Sequence, residues 1–341
     1  MKKPLRAIYH RLRHEHAPGK LATLAKLRDD FEIVAVVDDL ASQTPTWQAE
    51  PQTGAGLRLV SAEEALAMPD IDVVFVETAN GDLLDAALPW AERGVAMHLD
   101  KPTGETREPF RRIVELCRAK NVPLQMGYMF RCNPAVQFCQ QAVRDGLLGT
   151  IVHAEADMNF GAWDPAYADY ASSFKSGVFY NLACHEIDLF VPMMKGDLVR
   201  ATISVGDAPG DRPGSRTRCA AMLEWPESTA FLRVCSHIPQ GMRRRLRIEG
   251  SNGTLELQPI ECFSGRLLKA VLHIAKAAGP YVAGLHEFEF GPQTDRYAGL
   301  FLDLAAIVRG EKPNPVELYD HDLRVHDACL RACGLWSGNG D

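Results

Sequence analysis

Short apolar runs alternate with helical patterns through the first 126 residues, and this alternation restricts the possible folds more than any other feature. The apolar runs have the length and composition of buried strands and begin at Leu5, Phe31, Ile71, Val95 and Pro123. One of the intervening helices opens with a capping box at Ser61 and Glu64. Strands that are separated by helices form βαβ units around a parallel sheet. The sequence therefore predicts a doubly wound, Rossmann-like α/β domain over residues 1–126.

The pattern changes after Gly127. A predicted helix at Pro134 to Asp145 is followed by an aromatic loop over residues 159–176. Strand-like runs begin at Val152, Val199, Arg218, Thr229, Arg243 and Thr254. Consecutive strands of this kind predict a large open, mostly antiparallel sheet with one face covered by helices. We expect a second, α+β domain over residues 127–341 for substrate binding and oligomerisation, with its last helix packing back on the first domain.

Composition and charge exclude several classes of function. A hydrophobic content of 46% and a charged content of 24% are typical of a globular protein. A net charge of -7 gives no support to a nucleic acid or a membrane surface as partner, and no apolar run reaches membrane-spanning length. The nine cysteines are scattered without a CxxC pair, which indicates reduced thiols and predicts a cytoplasmic location.

The first two strands carry the signals for a dinucleotide cofactor. Asp38 lies at the end of the second strand, where a dinucleotide fold places the acid that bonds a ribose 2′-hydroxyl, and it favours NAD over NADP. The turn after the first strand, from Tyr9 to His16, contains no glycine, although backbone amides normally approach the pyrophosphate there. Arg11 or Arg13 could supply charge to the phosphates instead.

Three histidines in the same turn raise the question of a metal. His10, His14 and His16 could bind an ion, because imidazole is a common ligand. Glu15 is the one acid at ligand spacing, and no cysteine accompanies the histidines. The sequence therefore favours a protein without a metal site.

Asp100-Lys101-Pro102 follows the Val95 strand and precedes a helix with Phe110, Ile113, Val114 and Cys117 on one face. A lysine at the carboxyl end of a parallel strand lies where open α/β sheets bind ligands. Proline stiffens the turn and keeps the lysine extended. The alternative is a solvated lysine in a βα loop.

Asn181, His185 and Asp188 stand at i, i+4 and i+7, so a helix from about Tyr180 would align them on one face. His185 could exchange a proton with a substrate hydroxyl, and Asp188 could orient its imidazole. The alternative is a structural histidine at the edge of the core. Cys184 is interpreted as a packing residue.

Three motifs in this order resemble the glucose-fructose oxidoreductase/inositol dehydrogenase/rhizopine-catabolism (Gfo/Idh/MocA) family. They are DKP at residues 100–102, MGYMFRCNP at residues 126–134 and GxxxNxxxHxxD at residues 177–188. The resemblance covers nearly the whole chain. It implies an NAD(P)-dependent oxidoreductase of sugars, cyclitols or their derivatives.

The resemblance also implies roles for single residues. Lys101 would bond the reacting hydroxyl and His185 would be the general acid/base, with Asn181 at the position of an acid common in the family and Asp188 nearby. Combined with the arguments above, the predicted cofactor-binding residues are Arg11, Arg13, Asp38, Thr78, Asn80, Asp100 and Pro102. The predicted substrate-binding residues are Arg131, Asn133 and Trp163, the last from the aromatic loop.

The leading hypothesis is an NAD-dependent oxidoreductase, with NADP less favoured, that acts on a small sugar or cyclitol. One alternative is redox-neutral chemistry, in which transient oxidation of a sugar activates a neighbouring bond. Another is a binding or regulatory protein with impaired cofactor binding, which the glycine-free turn motivates. The uncovered sheet face is expected to be apolar and to form a homodimer or homotetramer.

Overall fold

The structure is a computed structural model, and it describes residues 2–12, 14–37, 56–161, 165–239 and 244–338. The chain divides into two compact units. Unit 1 comprises Met1–Tyr128 and Asp295–Leu323, and unit 2 comprises Met129–Thr294 and Arg324–Asp341. The first boundary was predicted after residue 126, two residues before the observed boundary after Tyr128. The prediction also assigned residues 295–323 to the second domain. That segment belongs instead to unit 1.

Unit 1 is built on a six-stranded parallel sheet with the order β3-β2-β1-β4-β5-β6. Its strands are β1 (Leu5–His10), β2 (Phe31–Val37), β3 (Leu59–Val60), β4 (Val73–Val76), β5 (Ala96–Leu99) and β6 (Leu124–Met126). This is the order of the doubly wound dinucleotide-binding fold, whose ligand crevice lies where the strand order reverses. The reversal falls at β1, which pairs with both β2 and β4. The predicted Rossmann-like fold is confirmed.

Helices cover this sheet. They are α1 (Ala17–Lys26), α2 (Ala62–Ala67), α3 (Leu83–Arg93), α4 (Arg107–Ala119) and α9 (Ala298–Val308). The side chains that α4 buries are Phe110, Ile113, Val114 and Cys117, the face that the periodicity predicts. The returning helix α9 packs on the sheet, where the Phe301 ring lies 5.0 Å from the Phe75 ring. The last helix, α10, spans Glu317–Ala332.

Unit 2 contains an eight-stranded sheet with the order β14-β13-β12-β11-β7-β10-β9-β8. Its strands are β7 (Ile151–Met158), β8 (Arg200–Gly206), β9 (Arg218–Glu224), β10 (Thr229–Cys235), β11 (Arg244–Gly250), β12 (Gly253–Leu257), β13 (Leu268–Ile274) and β14 (Gly284–Phe290). Neighbouring strands are antiparallel except for the parallel pair β7 and β10. The predicted open, mostly antiparallel sheet is confirmed, but β13 and β14 were not predicted.

The helices of unit 2 correct two predictions. They are α5 (Pro134–Arg144), α6 (Pro165–Ser172), α7 (Val178–Leu182) and α8 (Cys184–Phe190). The aromatic segment predicted as a loop contains α6, which begins at a proline, a residue that suits the first turn of a helix. The single helix predicted from Tyr180 is two short helices that meet at Ala183.

The outward-facing side of the central strands carries paired charges. Arg233 on β10 donates to Asp157 on β7 with an Nε to Oδ1 distance of 2.6 Å. Arg245 on β11 donates to Glu155 on β7 with an Nη2 to Oε2 distance of 2.6 Å. Alternate residues of β7, such as Ala154, are buried on the opposite face. The expectation of an apolar outer face is wrong for these strands, because ion pairs satisfy their outward positions.

Candidate functional site

The Asp100-Lys101-Pro102 turn directly follows β5, at the edge of the unit 1 sheet where parallel strands end. Asp100 and Lys101 are both completely buried. The Lys101 backbone N–H donates a hydrogen bond of 2.7 Å to Oδ1 of Asp100. Because the ammonium group is not exposed to water, the alternative of a solvated loop lysine is wrong.

The second carboxylate oxygen of Asp100 lies among three nitrogen atoms. Its Oδ2 is 2.7 Å from Lys20 Nζ, 3.0 Å from His14 Nδ1 and 3.2 Å from His16 Nδ1. Burial alone would raise the pKa of Asp100, but His14 and Lys20 outweigh burial and hold this pKa well below its usual range. Asp100 is therefore an ionised carboxylate in a fixed position beside Lys101.

Lys20 is a completely buried lysine that lies between two acids. Its Nζ donates to Oε1 of Glu77 and to Oδ2 of Asp100, each over 2.7 Å. Burial lowers the pKa of Lys20, but the two acids raise it by a larger amount. The net shift is upward, so the Lys20 amine stays charged. Burial raises the pKa of Glu77 well above its usual range despite the lysine.

His98, in the middle of β5, is a third partner of Lys20. Its Nε2 lies 2.9 Å from Lys20 Nζ, and its Nδ1 lies 2.9 Å from Oε1 of Gln125. The Gln125 amide nitrogen donates to the Leu300 carbonyl over 2.8 Å, so Oε1 must accept from His98. Since the ammonium can only donate, His98 is a neutral imidazole with its proton on Nδ1. Burial, reinforced by Lys20, lowers the pKa of His98 to about 3.

Sequence reasoning missed Lys20, Glu77 and His98, although each left a signal. Lys20 falls within the buried stripe of α1, between Ala17 and Leu21. Glu77 follows β4 directly, and His98 interrupts an apolar strand. Charged or polar residues inside an apolar periodicity indicate a buried polar network, because burial requires that such groups be paired.

The β1–α1 turn separates its histidines. His10 accepts a hydrogen bond of 2.8 Å from the Trp90 indole N–H, whereas His14 and His16 lie against Asp100. Burial lowers the pKa of His16 to about 4, against the opposing effect of Asp100, so its ring is neutral at pH 7. His14 also contacts the Lys101 carbonyl oxygen, 3.0 Å from its Nε2. Two of the three histidines thus support the Lys101 turn.

Two groups of side chains here have the proximity that a metal site requires. They are His14, Glu15 and His16, and His14, Glu77 and Asp100. In the second group the Lys20 ammonium already lies 2.7 Å from each acid and supplies the compensating positive charge. The expectation of no metal stays a prediction.

Several backbone amides of the β1–α1 turn already have partners within unit 1, and the turn also carries an arginine. At the start of α1, the Ala17 N–H is donated to the His14 carbonyl over 3.0 Å, and Pro18 has no N–H. Arg11 has a φ of 71°, the left-handed conformation that glycine favours, and its Nη1 lies 3.5 Å from Oγ1 of Thr78. A guanidinium group at this edge of the sheet can donate forked hydrogen bonds to a phosphate. Asn80 is buried next to Thr78, and Arg13 and Asp38 lie outside the described residues.

Lys101 has an acidic partner within this turn. Oε1 of Glu15 lies 3.6 Å from Lys101 Nζ, and the Glu15 side chain is 14% exposed. The predicted hydroxyl-binding lysine is therefore part of an ion pair that unit 1 supplies by itself.

Unit 2 contains the other predicted catalytic residues, and Asn181, His185 and Asp188 are all buried in α7 and α8. Asp188 accepts a forked pair of hydrogen bonds from Arg131, with Nη2 to Oδ1 at 2.6 Å and Nε to Oδ2 at 3.1 Å. Two predicted site residues, Arg131 and Asp188, are thus brought together. The His185 ring lies 5.6 Å from the Phe130 ring.

Asn133, a predicted substrate-binding residue, caps the start of helix α5. Its Oδ1 accepts from the backbone N–H groups of Ala135 and Val136 at the start of α5, and its Nδ2 donates to the Ile260 carbonyl over 2.7 Å. Trp163 lies outside the described residues. The roles of Lys101 and His185 stay predictions.

Two family models match the chain in succession. The model described as an oxidoreductase family with an NAD-binding Rossmann fold matches residues 15–128. The model of the GFO/IDH/MocA C-terminal domain matches residues 136–256. The first match begins at Glu15, after β1 and most of the turn. Together the matches cover more than half of the chain and include both units.

Curated relatives are similar over part of their length. The rhizopine catabolism protein MocA of Rhizobium meliloti is 28% identical over 161 residues, which are 46% of this chain and 47% of that protein. D-xylose 1-dehydrogenase (NADP(+)) 2 of Haloferax volcanii is 23% identical over 246 residues, 72% of this chain and 69% of that protein. The chain spans 47%, 59% and 61% of the lengths of the first three relatives.

Solved structures share the fold over almost the full chain. The WlbA dehydrogenase of Bordetella pertussis, in complex with NADH and UDP-GlcNAcA, has a TM-score of 0.70 at 17% identity, with 97% of both chains covered. Such identity supports the fold alone. Among the described residues, none of the helices combines the length and apolarity needed to cross a bilayer.

Proposed function

This chain belongs to the GFO/IDH/MocA family of oxidoreductases, and we propose that it is an NAD-dependent dehydrogenase or reductase that acts on a hydroxyl-bearing carbon of a sugar, a cyclitol or a sugar derivative. The observation that carries the proposal is the buried Lys101 at the carboxyl end of β5, in a turn that Asp100 fixes. Relatives named for sugar dehydrogenation support the substrate class. NAD rather than NADP rests on Asp38.

Lys101 binds the reacting hydroxyl in this proposal. Its ammonium group donates to the hydroxyl oxygen and stabilises the negative charge that develops there as the hydroxyl proton leaves. Bound NAD supplies the hydride acceptor. The ionised Asp100 holds the Lys101 backbone, and Lys20 holds Asp100, so the amine extends from a rigid support.

His185 exchanges the hydroxyl proton, because imidazole is the side chain best suited to proton transfer near neutral pH. Asn181 has no titratable group and can contribute only hydrogen bonds. Asp188 acts through Arg131, because its carboxylate accepts forked hydrogen bonds from the Arg131 guanidinium and fixes that group in place. Arg131 therefore becomes a positioned donor for substrate oxygens.

Calorimetric titration of the purified protein with NAD, NADH and NADP tests the cofactor. We expect binding of NAD or NADH; no heat with any of the three would end the proposal. Turnover is then followed by NADH absorbance across a panel of sugars and cyclitols. We expect Lys101→Met to lower kcat about 100-fold or more. The exposed Lys120→Met is the matched control in the same unit and is expected to retain wild-type turnover.

A second candidate is a binding member of the family without turnover. The glycine-free β1–α1 turn favours it, because only part of the usual phosphate-binding backbone is available there. The same titrations separate the candidates: heat with a sugar or cyclitol but with none of the three dinucleotides supports this one.

We also propose that the protein is cytoplasmic and forms a homodimer or homotetramer. The described residues include all nine cysteines, and no disulfide joins them, which supports a reducing compartment. The open sheet of unit 2 supports self-association, because an uncovered sheet face commonly packs against a second copy.

A further inference from the structure

Glu15 stands in the turn where the fold usually carries glycine, and it brings a negative charge to the Lys101 amine. Its Oε1 lies 3.6 Å from Lys101 Nζ, within ion-pair distance. Two histidines flank its carboxylate, with His14 Nδ1 at 3.4 Å from Oε2 and His16 Nε2 at 3.9 Å from Oε1. The turn thus holds an acid against the lysine.

The other nearby acid already has its own partners. The Asp100 carboxylate contacts Lys20, His14 and His16 through one oxygen and the Lys101 N–H through the other. A carboxylate has about four acceptor positions, and these contacts use most of those of Asp100. The charge that Glu15 adds acts on the ammonium end of Lys101.

We propose that Glu15 is a specificity-determining residue: by pairing with the Lys101 ammonium, it makes the site select uncharged hydroxyl compounds over substrates that carry a carboxylate or phosphate near the reacting hydroxyl. This inference rests on the proposed role of Lys101 in binding the substrate hydroxyl.

The physical basis is charge repulsion at short range. A ligand carboxylate next to Lys101 would also lie within several ångströms of Glu15, where like charges repel strongly in a partly desolvated site. A neutral hydroxyl experiences no such penalty. An ammonium group has three N–H donors, so an ion pair with one carboxylate is compatible with a hydrogen bond to a substrate. Rejection of the wrong ligand by an opposing charge is a common source of specificity.

Matched pairs of ligands test the inference by equilibrium binding. D-galacturonate is compared with D-galactose, and D-glucuronate with D-glucose, by calorimetry with and without saturating NADH. We expect Glu15→Gln to bind both uronates roughly tenfold more tightly than the wild type does, and both neutral sugars within about threefold. Glu15→Ser provides a second neutral variant if glutamine disturbs the turn.

Three controls separate charge from structure. Glu15→Asp keeps the charge and should keep wild-type affinities for the uronates. Glu64→Gln removes an acid that pairs with Arg58 on the surface of the same unit and should change nothing. Adding Lys101→Met to Glu15→Gln should abolish the gain, because the gain depends on attraction between the ligand's negative charge and the Lys101 ammonium.

Two outcomes overturn the inference. One is a folded Glu15→Gln or Glu15→Ser protein, with wild-type melting temperature, that binds the uronates no better than the wild type. The other is an equal gain for acidic and neutral ligands, which would indicate a reshaped turn. The proposed function would be contradicted by a different result, the absence of dinucleotide binding and of turnover. Uronate binding to the protein without NADH requires neither, so the two failures can be told apart.

Discussion

The Lys20 ammonium lies 2.7 Å from each of two buried acidic side chains, Glu77 and Asp100, so these three groups depend on one another. Removing the cation takes a charge partner from the buried, ionised Asp100 and a hydrogen-bond donor from the buried Glu77, which is much more costly than losing a surface ion pair. We expect Lys20→Met to lower the free energy of unfolding by about 3–5 kcal/mol, measured by urea denaturation at neutral pH. Methionine keeps most of the side-chain volume, so the loss reports charge rather than a cavity.

Lys26→Met is the matched control on the same helix. Its side chain is 67% exposed and its amine pairs with Asp295, so we expect a loss below about 1 kcal/mol. Equal losses in the two variants would contradict the view that the Lys20 network is a buried, mutually dependent set of groups.

The low pKa of His16 predicts how stability depends on pH. Its pKa is about 4 in the folded chain, because burial lowers it, against an ordinary value near 6.5 in the unfolded chain. Between these values the unfolded state binds a proton that the folded state does not, so stability falls as the pH falls. Above pH 6.5 the His16 ring is neutral in both states and does not change stability with pH. Between pH 6.5 and about 4, the free energy of unfolding falls by about 1.4 kcal/mol for each pH unit.

Urea unfolding of the wild type and of His16→Gln at about pH 7, 6 and 5 measures this contribution. The difference between the two proteins isolates His16 from His98, which shifts in the same direction, and from Glu77, which shifts stability in the opposite direction. We expect the free energy of unfolding to fall less steeply with decreasing pH in the variant. The difference in slope should correspond to about one bound proton. Parallel curves would mean that His16 titrates normally in the folded chain.

Single residues of the site were predictable to different degrees. Lys101 was identified because its position at the end of a strand is visible in local sequence. Lys20 was not, because its partners lie 57 and 80 residues away and nothing local indicates that α1 packs against the ends of β4 and β5. A buried ion pair is a property of tertiary placement, and the sequence shows only that a lysine interrupts an apolar stripe.

At the scale of elements, α5 depends on Asn133. The side chain accepts two backbone N–H groups at the start of the helix and donates to Ile260. We expect Asn133→Ala to lower the free energy of unfolding by about 2 kcal/mol, the sum of a lost cap and a lost buried hydrogen bond. Asn133→Asp keeps the acceptor and should retain the cap contribution.

Chemical denaturation measures both variants, and ligand titration adds a check on the predicted substrate role. If Asn133→Ala retains stability but loses affinity for a bound sugar or cyclitol, its main role is at the substrate rather than in the helix. The structure-based expectation is the reverse, with a loss of stability that exceeds any change in affinity.

Most elements followed from periodicity, and the exceptions have physical reasons. Helix α3 ends at Arg93, because Gly94 terminates it with a φ of 82°. Strands β13 and β14 alternate buried and more exposed residues, the period of two that marks a strand, so the sequence contains a signal for both. The interruption at Ala183 could not be predicted, because alanine favours a continuous helix.

At the scale of the whole molecule, the two-unit organisation was only partly predictable. The change from alternating βα patterns to successive strands marks the first boundary near Tyr128. The return of residues 295–323 to unit 1 is a non-local event. It depends on contacts such as that between the rings of Phe301 and Phe75, which are separated by most of the chain.

The charged outer face of the unit 2 sheet changes the expected character of self-association. An apolar interface would be insensitive to salt, whereas a second copy that covers Arg233, Asp157, Arg245 and Glu155 would bring ion pairs into the interface. We therefore expect a homodimer or homotetramer at micromolar concentration that dissociates more readily at high ionic strength. Light scattering coupled to gel filtration, at low and at high salt, measures this.

Charge reversal at Arg233 locates the interface. Arg233→Glu replaces the half-exposed cation that pairs with the buried Asp157 by a second negative charge, and like charges across an interface cost several kcal/mol. We expect the dissociation constant to rise about 100-fold or more. Lys195→Glu, at a lysine that pairs with Glu227 outside the sheet strands, should leave assembly intact. A salt-resistant oligomer that tolerates Arg233→Glu would place the interface on another surface, because buried like charges at this position could not escape the penalty.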